Sequence, residues 1–349
     1  MGLLTASGGL NFSGNVNLTA MVAQYPSGNI LYAGSNTSLG SSSYTFIVPA
    51  NVFSIAYVVI GGGAGGWANY ANSNTALGGA GGGLAYRNNV PVNPGDSISV
   101  VVADSHYREF SLGTLTASKA ANSSVTVGGV STIATGGGKY RTGAGLDDDT
   151  PGFPAGTYTG GASGGKGYIG AGGVTTSIVH GGGGAAGYTA NGGNSGNYVQ
   201  NSANLAGNAA ITGGGGGGGG ATIWSTKPAG LSHGGGGGGV NVYGIGIDGT
   251  GGPAPAGNGR GGSYNIGLPQ LNNGNSYIGT SDSTRGKNYG GLYGGGGGGY
   301  NVGSLQQATA TQGGGYGGPG AVRIVWGSRR SFPSTNVSDP TESFYNVYL

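Results

Sequence analysis

The stretch GGASGGKG at residues 160–167 comes nearest to a chemical motif in this 349-residue sequence. It satisfies the G-x-x-x-x-G-K part of a phosphate-binding loop, in which backbone amides cradle phosphate oxygens and the lysine reaches toward them. Gly167 stands where Ser or Thr should hold magnesium, and no helix-forming segment follows. Matches to G-x-G-x-x-G carry no weight either, because a chain with 89 glycines yields roughly five by chance. Nucleotide binding is not expected.

The three histidines, His106, His180 and His233, lie at neither i,i+4 nor H-E-x-x-H spacing. With no cysteine there is no thiolate metal site and no disulfide, which leaves the compartment open. Asp147-Asp148-Asp149 could offer oxygens to calcium, yet the twelve-residue loop pattern is missing and adjacent acids in a turn usually face water. Cleaving a glycosidic bond takes two carboxylates held about 5 to 10 Å apart. No spacing among the ten Asp and Glu residues selects such a pair. The expectation is a non-enzymatic protein without catalytic residues, metal or cofactor.

Seven aromatic residues remain: Trp67, Tyr70, Tyr188, Tyr198, Trp224, Tyr264 and Tyr277, set among Asn, Ser, Thr and Gly. Flat rings beside amides and hydroxyls can stack on a sugar or hydrogen-bond a polar surface with little loss of side-chain entropy. They form the candidate surface-binding set. The same rings can instead cap the ends of a glycine core that has no apolar side chains of its own. Trp326 differs, since it closes a strand pattern and is expected in a core.

The elements that must position such rings are unusual. Glycine supplies 89 of 349 residues and Asp, Glu, Lys and Arg together only 7%, against about 7% glycine and 25% charge in ordinary domains. Collagen needs glycine at every third position and abundant proline, whereas these glycines are contiguous and the prolines number 13. A Gly/Ser linker is excluded by 21 Tyr, 7 Phe, 3 Trp and several Val/Ile-rich segments. The net charge of +3 is spread out, with only short spots such as Arg329-Arg330, so no nucleic-acid partner is expected. The longest apolar stretch, FSIAYVVI at 53–60, is too short for a bilayer, which takes about 20 residues as helix. It reads as a buried strand, and no membrane insertion is expected. The opening MGLLTASGGLNFSG lacks the basic segment and long apolar core of a secretory signal.

Three regions are expected: a β-rich lead-in or attachment segment at 1–40, a glycine-rich domain at 41–327 and a tail at 328–349. The lead-in holds short strand patterns near 16–18 and 29–32. In the main domain, strands are predicted at 43–48, 52–60, 83–87 and 97–102, the last delivered by the Asn93-Pro94-Gly95-Asp96 turn, and at 321–326. These predict a mostly β protein with little or no α-helix: a β-sandwich frame whose first and last strands meet, with residues between Asp104 and Gly320 inserted as excursions. The excursions carry glycine runs at 136–138, 181–184, 213–220, 234–239, 294–299 and 313–315, with GGGGGGVNV from Gly234 nearly repeated as GGGGGGYNV from Gly294. Between the runs lie long polar loops. Glycine loses the most backbone freedom on ordering, so eight in a row at 213–220 make sense only if backbone groups pair. Polyproline-II-like rods, rising about 3.1 Å per residue with every N–H and C=O turned outward, can pair in a bundle.

Three phrases carry a family likeness: SSYTFIVPANVFSIAYVVIGGGAGG, GGGLAYRNNVPVNPGDSISVVVAD, and GGYGGPGAVRIVWG followed by RRSFPSTNV. In this order they resemble glycine-rich domains of tailed-bacteriophage tail-fibre and appendage proteins, particularly those of phages infecting marine cyanobacteria. The likeness spans roughly residues 43–337. It implies a virion structural protein in a tail fibre or surface appendage, adhesin-like and receptor-facing. Expected partners are other appendage proteins, host surface polysaccharide or an outer-membrane receptor, and further copies in a homotrimer. A purely structural fibre, neck or capsid protein and a polysaccharide-degrading appendage are the alternatives. Long polar interruptions and framing strands set this chain apart from the most regular glycine-rich phage tips.

Overall fold

A computed structural model describes residues 27–35, 40–66, 68–69, 75–105, 119–138, 150–167, 178–196, 207–210, 214–215, 221–222, 232–233, 235–245, 248–251, 290–298, 300–301, 315–328 and 330–334. These residues form strands and no helix. In chain order the strands are β1 (Gly28–Ala33), β2 (Ser41–Ile47), β3 (Ser54–Ile60), β4 (Ala68–Asn69), β5 (Thr75–Ala76), β6 (Leu84–Pro91), β7 (Ser97–Ala103) and β8 (Ser123–Val127). There follow β9 (Val130–Ala134), β10 (Pro154–Gly156), β11 (Gly160–Ala162), β12 (Ile178–Val179), β13 (Ala221–Thr222), β14 (Ser232–His233), β15 (Tyr300–Asn301) and β16 (Ala321–Trp326).

Two five-stranded antiparallel sheets, ordered β1-β16-β3-β6-β11 and β10-β9-β8-β7-β2, hold the long strands. Phe46, Val100, Val102 and Val125 of the second sheet share one buried cluster with Ile55, Tyr57, Val59, Val322 and Ile324 of the first. On the opposite face of the first sheet, Val58, Ile60, Leu84, Tyr86 and Val325 pack with Ala185, Ala186, Tyr188, Val240, Val242 and Phe332. Burial on both faces is why β3 reads as an unbroken apolar run. β2 instead alternates, with Phe46 buried and Ser41, Ser43 and Thr45 exposed, the pattern of a strand with one wet face.

The strands expected at 43–48, 52–60, 83–87, 97–102 and 321–326 are present, and both β1 and β3 pair with β16. The expected lead-in is therefore joined to the sheet at Gly28–Ala33, and the pattern near 16–18 lies outside the described residues. The excursion between Asp104 and Gly320 needs correction. β8 and β9 form a hairpin inside the second sheet, turned by Gly128 and Gly129 at φ 55° and 79°. Two positive φ values match the type I′ turn that lets paired strands keep their twist.

Glycine segments continue the strand ladders in unbroken register. Beyond the β3–β6 pairs, Gly61 N–H donates to Gly83 O and Ala64 N–H to Ala80 O. Beyond β16–β3, Gly63 donates to Gly318 and Gly66 to Gly315. Beyond β9–β10, Thr135 donates to Phe153 and Gly138 to Thr150. Partners recur every third residue rather than every second, so successive amides of one segment reach different neighbours. Residues 78–83 donate to segments at 294–297, 135–138 and 165, and accept from 61–64, 183–186 and 152, at 2.7–3.0 Å. A Cβ added at Gly78, Gly79, Gly81 or Gly82 would lie under 3.0 Å from a carbonyl oxygen of a neighbouring segment. The missing side chain is what permits this approach.

The two near-copies lie side by side in opposite directions. β14 pairs with β15, then Gly237 donates to Gly296 and Val240 to Tyr293 in the same register. Of the run at 213–220, Gly214 and Gly215 are described: Gly193 donates to Gly215 O, and Gly215 to Ala185 O. At the ends of these segments remote from the long strands are two small sheets, β13-β12-β5 and β14-β15-β4. β13 touches β14 and β4 touches β5, which sets the small sheets together.

Candidate functional site

The small sheets give the candidate surface its position. The chain connecting β4 to β5 is residues 70–74, and that connecting β13 to β14 is residues 223–231. Trp67 directly precedes β4, Tyr70 directly follows it, and Trp224 follows β13 by two residues. Three of the seven aromatic candidates are thus tied in sequence to the strands that end the glycine segments. Trp67, Tyr70, Tyr198, Trp224, Tyr264 and Tyr277 lie outside the described residues.

Tyr188 is described, and its place corrects its assignment to a binding surface. The ring is fully buried, stacked on Phe332 at 6.0 Å between centroids and 6.1 Å from Tyr86. Its hydroxyl donates to Asn241 O at 3.0 Å and accepts from Gly244 N–H at 3.1 Å. Burial raises its pKa far above the usual phenol value, so the hydroxyl stays protonated. The apolar pair Ala185-Ala186 just upstream, packed in the same cluster, was the sequence signal for this. Trp326 meets its core expectation in part, packing at the edge of the inter-sheet cluster 5.6 Å from Phe46.

The phosphate-loop likeness at 160–167 also resolves structurally. Ser163 N–H is taken by Asn191 Oδ1 at 3.1 Å and Lys166 N–H by Asn194 Oδ1 at 2.8 Å. Gly164 and Gly165 donate to Gly152 O and Gly184 O. A phosphate would find these four amides already bonded. In return Gly192 donates to Ser163 O and Ser195 to Lys166 O, so Asn191 and Asn194, three apart, finish the outer side of a glycine segment with side-chain amides. Sequence reading missed this use of asparagine, although the N-G-G-N spacing carries it.

Among the described residues no group of three or more His, Asp or Glu is placed to hold a metal ion. His106 and Asp147-Asp148-Asp149 lie outside them. His180 is 2% exposed at the start of the 181–184 run, and burial pulls its pKa down to about 4. An unfolded histidine titrates near 6.5, so the buried ring folds neutral and its stabilisation is complete above about pH 6.5 and lost as pH falls toward 4. The expected loss is about 3 kcal/mol across that window. Urea midpoints at pH 7 and pH 4.5 should converge more in a His180→Gln variant than in the parent chain; an equal pH dependence in both would contradict the assignment.

No family model matches the chain, and a search of curated proteins returned no match.

Proposed function

We propose that this chain is a non-enzymatic structural protein of a phage tail fibre or comparable virion appendage, and that its small-sheet end mediates host attachment. Its architecture is a β-sandwich prolonged by a bundle of polyproline-II-like glycine rods. The observation that carries the reading is the hydrogen-bond register that runs from the long strands through the glycine segments to β4, β5 and β12–β15. Three-residue recurrence is the period of a polyproline II helix, and backbone ladders in several directions would make a stiff spacer. A stiff spacer with short connections at its far end holds loops whose Asn, Ser, Tyr and Trp content can vary without disturbing backbone pairing. Individual contacts with host polysaccharide or an outer-membrane receptor would be weak, and copies in a homotrimer and around a particle would add through effective concentration.

A scaffold without receptor contact is favoured by one observation, the burial of Tyr188. Particles carrying Trp67→Ala with Trp224→Ala separate the two readings. Attachment predicts host adsorption reduced about tenfold or more at normal incorporation of the protein, since two stacking contacts are lost from every copy. Unchanged adsorption at normal incorporation would leave the scaffold.

A further inference from the structure

We infer that the flank of the glycine bundle formed by Ser163, Lys166, Asn191 and Asn194 is a binding surface for an extended acidic polysaccharide. This surface extends the attachment reading, on which its biological setting rests, with residues separate from the small-sheet loops. Beyond β11 the chain continues as the segment 163–167, and residues 191–195 lie beside it. Gly192 N–H donates to Ser163 O and Ser195 N–H to Lys166 O, a step of three on both segments. A Cβ on Gly165 would run into Gly193 O, so the two backbones are in close contact. Burial follows the same period. Gly164, Gly165, Gly167, Gly192, Gly193 and Ser195 are buried, while Lys166 and Asn191 are exposed and Ser163 and Asn194 half-buried. Each segment thus brings a polar side chain to the surface at every third residue, about 9 Å apart on a polyproline II rise.

Hydrogen bonds to the backbone fix what these side chains offer. Asn191 accepts from Ser163 N–H at 3.1 Å and Asn194 from Lys166 N–H at 2.8 Å. A backbone N–H only donates, so each asparagine must turn its oxygen to it. The other polar atom of each amide is Nδ2, which only donates. The Lys166 ammonium also only donates, and it carries a positive charge. None of the four residues is an acid. Donors and a cation at regular spacing on a straight support complement a polymer rich in acceptor oxygens and carboxylates. An uncharged polymer lacks the ionised acceptor that makes such bonds strong. Single contacts at an exposed margin are weak, and regular spacing along both polymer and protein lets them add.

Alginate, a polymer of uronic acids, is the probe, with dextran as its uncharged counterpart. At low salt the full chain should bind immobilised alginate about tenfold or more tightly than dextran. Asn191→Asp with Asn194→Asp isolates the donors, because each carboxylate still accepts from the Ser163 or Lys166 N–H. The urea midpoint should then stay at the parental value while alginate affinity falls about tenfold or more. Ser43→Asp with Thr45→Asp, on the exposed face of β2, makes the same change in net charge and should leave affinity within about twofold. Lys166→Gln leaves the backbone bonds in place and should weaken binding about threefold, a reading that holds even where the paired Asp substitution unfolds the chain. Absent binding to alginate, equal binding to dextran, parental affinity in the Asn191→Asp/Asn194→Asp or Lys166→Gln chain, or an equal loss in the Ser43→Asp/Thr45→Asp chain would each overturn the inference. Trp67→Ala with Trp224→Ala should keep parental alginate affinity, so that failure of the small-sheet reading shows separately, in host adsorption. Lost alginate affinity in that variant would place the polymer at the small sheets and overturn the assignment to this flank.

Discussion

Replacing Gly81 by alanine is expected to destabilise the protein by about 4 to 8 kcal/mol, enough to unfold a chain of ordinary stability. A Cβ there would run into the carbonyl of Gly184 with the amide of Ala185 just behind it. Neither obstacle is a flexible side chain, so the backbone segments must part. Parting them breaks the bonds that join these two segments, from Gly183 N–H to Gly79 O and from Ala186 N–H to Gly82 O. Each buried group left unpaired costs about 1 to 3 kcal/mol. Gly129→Ala is the contrast, because its turn is open, with no heavy atom within 4 Å, and only its φ of 79° resists a side chain. That substitution should cost about 1 to 2 kcal/mol. Ala64 and Ala80, both fully buried, mark places where the same lattice does accept a methyl group. Urea midpoints of the two variants decide the matter, and similar costs would mean that the segments yield to side chains.

The next largest effect is expected at Tyr188. Tyr188→Ala removes a ring that packs against Tyr86 and Phe332 and holds the 240–244 segment by two hydrogen bonds. Large-to-small changes of this kind cost about 3 to 5 kcal/mol through lost burial and the cavity left behind. Tyr188→Phe keeps the ring and strands Gly244 N–H and Asn241 O, for about 1 to 3 kcal/mol. Thermal denaturation should rank the parent above Tyr188→Phe and that above Tyr188→Ala. A Tyr188→Ala chain with parental thermal stability would return this residue to a surface role.

The long strands were legible because their side chains report their surroundings: unbroken apolar residues where β3 is covered on both sides, alternation where β2 is wet on one. The β8–β9 hairpin was equally legible in SVTVGGVSTIA, where Gly-Gly divides two alternating runs, yet the glycine-rich context hid it. The register of the glycine segments was not legible, since a run without side chains has no alternation and every offset looks alike. What sets the register is the strand at its end. Gly61 meets Gly83 because Ile60 already meets Leu84, and the apolar pairing of β3 with β6 is thereby carried into residues that encode nothing. Tyr188 misled because its Asn- and Gly-rich flanks read as a loop, while the partners that bury it, Tyr86 and Phe332, are distant in sequence.

Amide hydrogen exchange across the glycine segments tests the central claim most directly. If backbone ladders run unbroken from the sheets into the bundle, the amides of Gly79, Gly81, Gly82, Gly183 and Gly296 must open with the strands they extend. Their protection should then match that of Val58 and Val59 in β3, near the free energy of global unfolding. Exchange of these glycines at the rate of a free Gly-rich linker, with β3 still protected, would contradict the claim.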